Sequence, residues 1–392
     1  MTSPFKSFWM GGFECSDQLN AFGNRVDFLH LTRHLEKIDA DYLQLAEFNI
    51  QTVREGVRWS QVERSPHQYD FSTVRTMLRK GCEYGIQQIW DICHFGYPDD
   101  LTPLHPHFTG RFVGVCRAFV QFYLDELPGQ TLIVTPINEV SFISWLGGDV
   151  RGTSPYCHHM GWEVKYALMR AYIAGIKAMK ELMPTIRILT TEPLVSMVQP
   201  LFYTAEEKLR AEHAHQNQFQ AVDILTGAIC PELGGSPDLL DMLGFNYYYN
   251  NQWIVGIASF LKWADDDKDP RWRSFSDLLQ EAYLRYNKPV VLTETSHPGE
   301  DRPKWITFIG KECQKAIAAG VPLLGVCLYP IIDRPDWDDN DYWHHSGLWD
   351  EIPLLNGDTI RELNLPYALA LNQAQIALAT TEKKIPLPSY AF

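Results

Sequence analysis

TLIVTPINEVSF (131–142) opens as an apolar, β-branched run, passes a proline, and sets Asn138 beside Glu139 before turning apolar again. The run has the length and composition of a buried strand. A carboxylate at the mouth of such a strand is costly unless it is paired or put to use. The fold follows from how often such runs recur and from what separates them.

Short apolar runs stand at 8–13, 52–59, 86–93, 131–138, 186–192, 239–248, 289–295 and 323–329. Amphipathic stretches fill the gaps at 28–48, 70–84, 109–126, 162–182, 204–226, 273–286 and 302–319. The last of these places Trp305, Ile306, Ile309, Cys313 and Ile317 near helical spacing before Gly320. Strand and helix in alternation predict a parallel α/β fold, and eight repeats predict a (β/α)8 TIM barrel. A barrel needs roughly 250 residues, so the surplus of this chain predicts extended βα loops. The doubly wound alternative demands a glycine-rich phosphate loop after an early strand, and GGFECS (11–16) lacks the spacing. The expected organisation is one domain over 1–392, with the barrel core at about 8–350 and a C-terminal extension, 351–392, packed on or trailing from it.

Composition narrows the function classes. The chain has 392 residues, 45% of them hydrophobic and 21% charged, which places it among globular proteins. A formal charge of -14 argues against nucleic acid or an anionic membrane as partner. The acidic stretches WADDDKD and WDDNDY read as solvated loops. Twelve tryptophans supply planar apolar faces of the kind that suit sugars or flat ligands. MTSPFKSFWMGG does not read as a signal peptide, and no apolar stretch approaches the ~18–20 residues a bilayer requires. Eight scattered cysteines without a CxxC predict reduced thiols and a cytoplasmic location.

Chemistry in a barrel gathers at the C-terminal ends of the strands. Read in order, those ends present Gln18 or Glu14, then Arg58 and Trp59, then His94, then Asn138 and Glu139, then Glu192. Asn246, Tyr247 and Tyr248 follow the sixth strand, Glu294 the seventh, and Tyr329, Asp333, Asp336 and Trp337 the eighth. No lysine stands at any of these ends, which disfavours Schiff-base chemistry and a nicotinamide-dependent barrel reductase. Glu139 and Glu294 each end a strongly apolar run, and strands four and seven lie across the mouth from each other. Acetal hydrolysis needs such a pair, one protonated and one ionised, at ~5–5.5 Å for retention and ~6.5–9.5 Å for inversion. Arg58 is the candidate donor that keeps one carboxylate ionised. Histidine spacing does not support a metal. His105-Pro-His107 lies in a proline-rich loop, His213-Ala-His215 in a helix, and His158-His159 and His344-His345 are adjacent pairs. No GxSxG nucleophile elbow is present.

These strand ends resemble glycoside hydrolase family 1, the β-glucosidase and β-galactosidase family, within the clan of (β/α)8 retaining glycosidases. The resemblance rests on GGFECSDQ, EGVRWSQVER (55–64), DICHFGYPDDL (91–101), VTPINEV (134–140), GFNYYYN (244–250), VVLTETSH (290–297), GVCLYPIIDRPDW (325–337) and HSGLWD (345–350). It implies Glu139 as acid/base and Glu294 as nucleophile, with Arg58 close to the latter. It implies that Gln18, His94 and Asn138 hold the sugar, Asn138 at its 2-hydroxyl. Tyr247 or Tyr248 would partner the nucleophile, while Tyr329, Asp336 and Trp337 would form the glycone platform. The sequence departs from the family at Val140 for a proline, Thr295-Ser296 for Asn-Gly, Tyr329 for a tryptophan and Asp336 for a glutamate. The function implied is a retaining β-glycosidase without metal or cofactor. A transglycosidase with a drier acceptor site and a catalytically retired carbohydrate-binding barrel are the alternatives. The partner implied is a small-molecule or oligosaccharide β-glycoside, with homo-oligomerisation left open. Trp145, Trp253 and Trp343 are candidate aglycone walls.

Overall fold

The computed structural model describes residues 3–264 and 268–382. Asp265–Asp267 of WADDDKD, the first two residues and the stretch 383–392 lie outside the described residues. The barrel strands are Trp9–Gly12, Thr52–Gly56, Gln87–Cys93, Ile133–Ile137, Arg187–Ile188 with Glu192–Pro193, Leu243–Asn246, Val290–Thr295 and Leu323–Leu328. All pairings among them are parallel. The two ends of the ladder, Arg187–Ile188 beside Ile133–Ile137 and Glu192–Pro193 beside Leu243–Asn246, belong to one stretch of chain. A bridge from Leu189 to Met242 joins them, so the sheet closes into a (β/α)8 barrel.

The strand interior fills from alternate positions, as a pleated backbone requires. Met10, Ile89, Ile133, Leu189, Met242, Val291 and Cys327 form one cluster inside the barrel, plugged by Phe5. The intervening residues, including Trp9, Trp90, Val134 and Leu292, pack outward against the helices. Alternation then carries Asp91, Thr293 and Tyr329 into the next layer above the inner cluster. Gly12 permits this, since a Cβ there would lie 2.1 Å from the ring of Tyr329. Glu294 breaks the pattern. Counting from Val291 sends it toward the helices, but both flanking ladders slip register between Leu292 and Thr295. An irregularity of this kind re-aims a side chain, and the carboxylate of Glu294 reaches the mouth.

The helices match the amphipathic stretches closely, for example Ser72–Tyr84, Phe108–Glu126, Gly161–Leu182 and Arg302–Ala318. The 28–48 stretch breaks at Arg33, which has a left-handed φ of 54°, and continues as His34–Leu45. Two features lie outside the sequence reading. Val140–Gly148 forms a helix directly after Glu139, and an antiparallel hairpin pairs Trp349–Pro353 with Thr359–Leu363. The second strand is also shorter than expected, ending at Gly56. After the hairpin, helix Leu365–Glu382 lays Leu371, Ala374 and Leu378 inward, with Ala374 against Gly310 of helix Arg302–Ala318. Among the described residues no helix is long and apolar enough to cross a membrane.

A buried polar network ties the second strand to its helix and to the hairpin. His34 is stacked on Phe13, with Nδ1 2.8 Å from Asp41 and Nε2 3.1 Å from Glu55. Tyr42 donates to Glu55, and Arg361 of the hairpin donates to Asp41 at 2.8 Å. Burial opposes charge on His34, but Glu55 and Asp41 outweigh it and push the pKa up to about 9. The unfolded value is about 6.5, so the folded state holds the proton more tightly. The resulting stability is complete below about pH 6.5 and is lost as pH rises through about 9. Urea midpoints are therefore expected to fall across that window, and His34→Gln should flatten the fall. A wild-type midpoint that does not change between these limits contradicts the assignment.

Candidate active site

Arg54, in the middle of the second strand and wholly buried, is the hub of the site. One terminal nitrogen donates to Glu294 Oε1 at 2.9 Å and to the carbonyl of Thr293 at 2.9 Å. The other donates to Asp91 Oδ2 at 2.5 Å and to Asn138 Oδ1 at 3.1 Å. The guanidinium also lies 4.9 Å from the centre of the Tyr329 ring. Burial alone would lower the pKa of Arg54, but Asp91 and Glu294 raise it well above its usual value, so the cation persists.

Arg54 orients the next group in line. Its bond to Asn138 Oδ1 turns the amide nitrogen toward His94 Nε2, which accepts at 3.0 Å. The proton of His94 then sits on Nδ1, 2.9 Å from Asp91. The backbone at the fourth strand's exit is held as well. Asn138 donates its N–H to Cys93, and Glu139 donates its N–H to Thr191. Glu139 adopts a left-handed φ of 45° before helix Val140–Gly148.

The two glutamates have different surroundings. Glu294 accepts from Arg54 on one oxygen and from Tyr248, at 2.7 Å, on the other. Glu139 accepts at 2.9 Å from Asn246, whose carbonyl end accepts from Thr293 at 2.6 Å. Burial and the charge of Glu294 lift the pKa of Glu139 well above the carboxylate range, only partly offset by Asn246. Burial and the two glutamates raise Tyr248 in turn, keeping its phenol proton available.

Both carboxylates open on a cavity of about 940 Å³. Its inner wall carries Glu14, His94, Tyr248 and Tyr329, and its outer wall Phe142, Trp145, Trp253, Ile257 and Phe260. Arg334 pairs with Glu14 at 3.2 Å and, with His94, outweighs burial to hold that carboxyl below its usual value. Asp336 is bonded to His344 at 3.0 Å on the same wall. Trp337 lines the cavity with its ring N–H buried and without a hydrogen-bond partner.

Of the residues expected from sequence, the structure gathers Glu139, Glu294, His94, Asn138, Tyr248, Tyr329, Asp336 and Trp337. Three it does not place as expected. Arg58 points away from Glu294 and pairs with Asp27 at 2.5 Å. Its left-handed φ of 58° turns the chain into the short helix Trp59–Val62, two residues after the second strand ends at Gly56. Tyr247 is stacked on Phe275 beneath the site and accepts from Gln252, leaving Tyr248 to meet Glu294. Gln18 is buried with both ends of its amide unpartnered, and Glu14 takes the place on the cavity lining. Among the tryptophans, Trp145 and Trp253 line the cavity and Trp343 does not. Glu14 and Asn246, both at expected strand ends, join the site, and Arg54, Asp91 and Arg334 complete it without a signal in the sequence reading.

Replacing Arg54 by methionine leaves Asp91 and Glu294 buried without their cation. The expected loss is about 3–5 kcal/mol of stability in urea denaturation. Arg58→Met should cost clearly less, because Asp27 is partly exposed. Equal losses contradict the placement of Arg54 as hub.

No family model matches the chain, and no curated protein matches it by sequence. Solved structures do. The family 1 β-glucosidase of Thermotoga maritima superposes with a TM-score of 0.71 at 15% identity, covering 95% of this chain and 97% of the other. The same organism's β-glucosidase in complex with glucoimidazole gives 0.70 at 15% identity, over 88% and 87%. A mutant hyperthermophilic β-glucosidase that forms a dodecameric structure in its crystal gives 0.72 at 14% identity, over 94% and 100%. The chain thus has the fold of the family 1 β-glucosidases.

Proposed function

We propose that the protein is a retaining β-glycosidase and a divergent member of glycoside hydrolase family 1. The observation that carries this reading is the asymmetry of the glutamate pair. Glu294 is hydrogen-bonded on both oxygens, by a permanent cation and by a phenol, which suits an ionised nucleophile. Glu139 is held toward its protonated form by burial and by that same negative charge, which suits a proton donor.

In the first step Glu294 attacks the anomeric carbon, and the bond to the leaving oxygen breaks as Glu139 delivers its proton. Formation of the ester removes the charge of Glu294, so the pKa of Glu139 falls and its carboxylate can take a proton from water. That water attacks the anomeric carbon from the face first occupied by the leaving group, releasing the sugar with retained configuration. Asn138, fixed by Arg54 and His94, would hold the 2-hydroxyl. Ser141 and Trp337 line the cavity with buried polar atoms that lack protein partners, and sugar hydroxyls would satisfy them.

Trp145, Trp253 and Phe260 at the outer wall favour a second reading, in which an acceptor alcohol replaces water in the second step. Product analysis with and without added acceptor separates the two.

Glu139→Ala should slow turnover of glycosides with poor leaving groups by on the order of 10²–10⁴, and activated aryl glycosides much less. Azide should then restore turnover and yield the β-glycosyl azide. For the wild type, the first step should decline as pH rises through the pKa of Glu139, and Glu294→Gln should shift that carboxyl downward in an NMR titration. Unchanged turnover in both variants contradicts the reading.

A further inference from the structure

His344 and His345 are adjacent, yet they serve different places. His344 faces the cavity and bonds to Asp336, whereas His345 turns to a second cluster with Asp333 and Asp350. None of these three residues lines the cavity. Their ligand atoms lie within 4.8 Å of one another, with His345 Nδ1 3.4 Å from Asp333 Oδ2 and 3.5 Å from Asp350 Oδ1.

A network of hydrogen bonds leaves this cluster incompletely satisfied. Asp333 is 1% exposed, and its Oδ1 accepts from the backbone of Ser346, while Oδ2 has no hydrogen-bond partner. His345 Nδ1 faces both carboxylates at separations longer than a good hydrogen bond, and it leaves Asp333 Oδ2 unsatisfied. Both separations match the roughly 3.0–3.6 Å between neighbouring ligands of a cation with bonds of about 2.0–2.2 Å. Asp350 is held in place by a two-pronged bond from Arg302, at 2.8 and 3.1 Å, and retains lone pairs for a further contact. The His345 side chain is 54% exposed, which gives the cluster an open side for entry and for water ligands.

We propose that Asp333, His345 and Asp350 form a binding site for a divalent transition-metal cation such as Zn2+. One nitrogen and two carboxylate oxygens suit Zn2+ or Co2+, with water completing the coordination. The cation would tie the loop after the eighth strand to the 345–350 segment and to helix Arg302–Ala318. That loop carries Arg334, Asp336 and Trp337 on the cavity wall, so the metal would stiffen the wall without touching the reacting atoms. The other cluster, Cys15, Asp91 and His94, is wholly buried, with no open side for entry, and its Asp91 and His94 belong to the Arg54 network of the candidate active site.

Equilibrium dialysis of the full-length protein against Zn2+ tests the site, with Co2+ as a visible-absorption probe and thermal midpoints with and without metal as a second readout. One equivalent bound, a Co2+ ligand-field band and a raised midpoint are expected. His345→Ala, at an exposed position, should weaken binding by at least about tenfold, as should Asp333→Asn. His105→Ala, in the separate HxH loop, should leave binding unchanged. Absence of one-to-one binding, or binding that survives both cluster variants, overturns the proposal. None of these readouts depends on glycosidase activity.

Discussion

The buried guanidinium of Arg54 is the constraint on which the rest of the site depends. It bonds directly to Glu294, Asp91 and Asn138, and through Asn138 and Asp91 it fixes the tautomer of His94. Taking such a cation out of water costs several kcal/mol, on the order recovered only when every partner is in place. The inward layer of the barrel is arranged to meet that demand. Asp91 and Tyr329 arrive by strict alternation, and Thr293 brings its carbonyl to Arg54 and its hydroxyl to Asn246. The same arrangement positions Asn246 on Glu139, so both carboxylates are set by one connected network.

Unequal chemistry from two residues of one type follows from where the hydrogen-bond donors stand. Glu294 receives a cation and a phenol, while Glu139 receives a neutral amide and faces a negative neighbour. The register slip before Thr295 is what brings Glu294 into this company. Without it, alternation would have buried the carboxylate among the helices, where nothing could have compensated it.

Much of the fold was legible because each barrel strand is a short apolar run and each helix shows its own period. The strand-ending positions of Glu139, Glu294, His94 and Asn138 followed from the barrel alone. Arg58 stands where an apolar run ends and so reads as the strand-end cation, whereas Arg54 lies in mid-strand, where a charge gives no signal of a site until its buried partners are seen. The alternation that carries Met10 inward has the same parity at Glu14 and Gln18, so only nearness to the strand end at Gly12 favours Glu14, and that end is not marked in the sequence. The choice between Tyr247 and Tyr248 depended on the turn after Asn246, which no local pattern specifies. The hairpin at 349–363 has a local signal in Asn356-Gly357, where Gly357 takes a positive φ of 83°, but its docking through Arg361 to Asp41, over three hundred residues apart, has none.

The most direct measurement is labelling by a panel of 2-deoxy-2-fluoro glycosides with gluco, galacto, manno and xylo configurations, read by peptide mass spectrometry. A single sugar on the peptide that contains Glu294 is the result expected of a nucleophile bonded to Arg54 and Tyr248. A label on any other residue, or none from a panel whose parent glycosides are turned over, would contradict it.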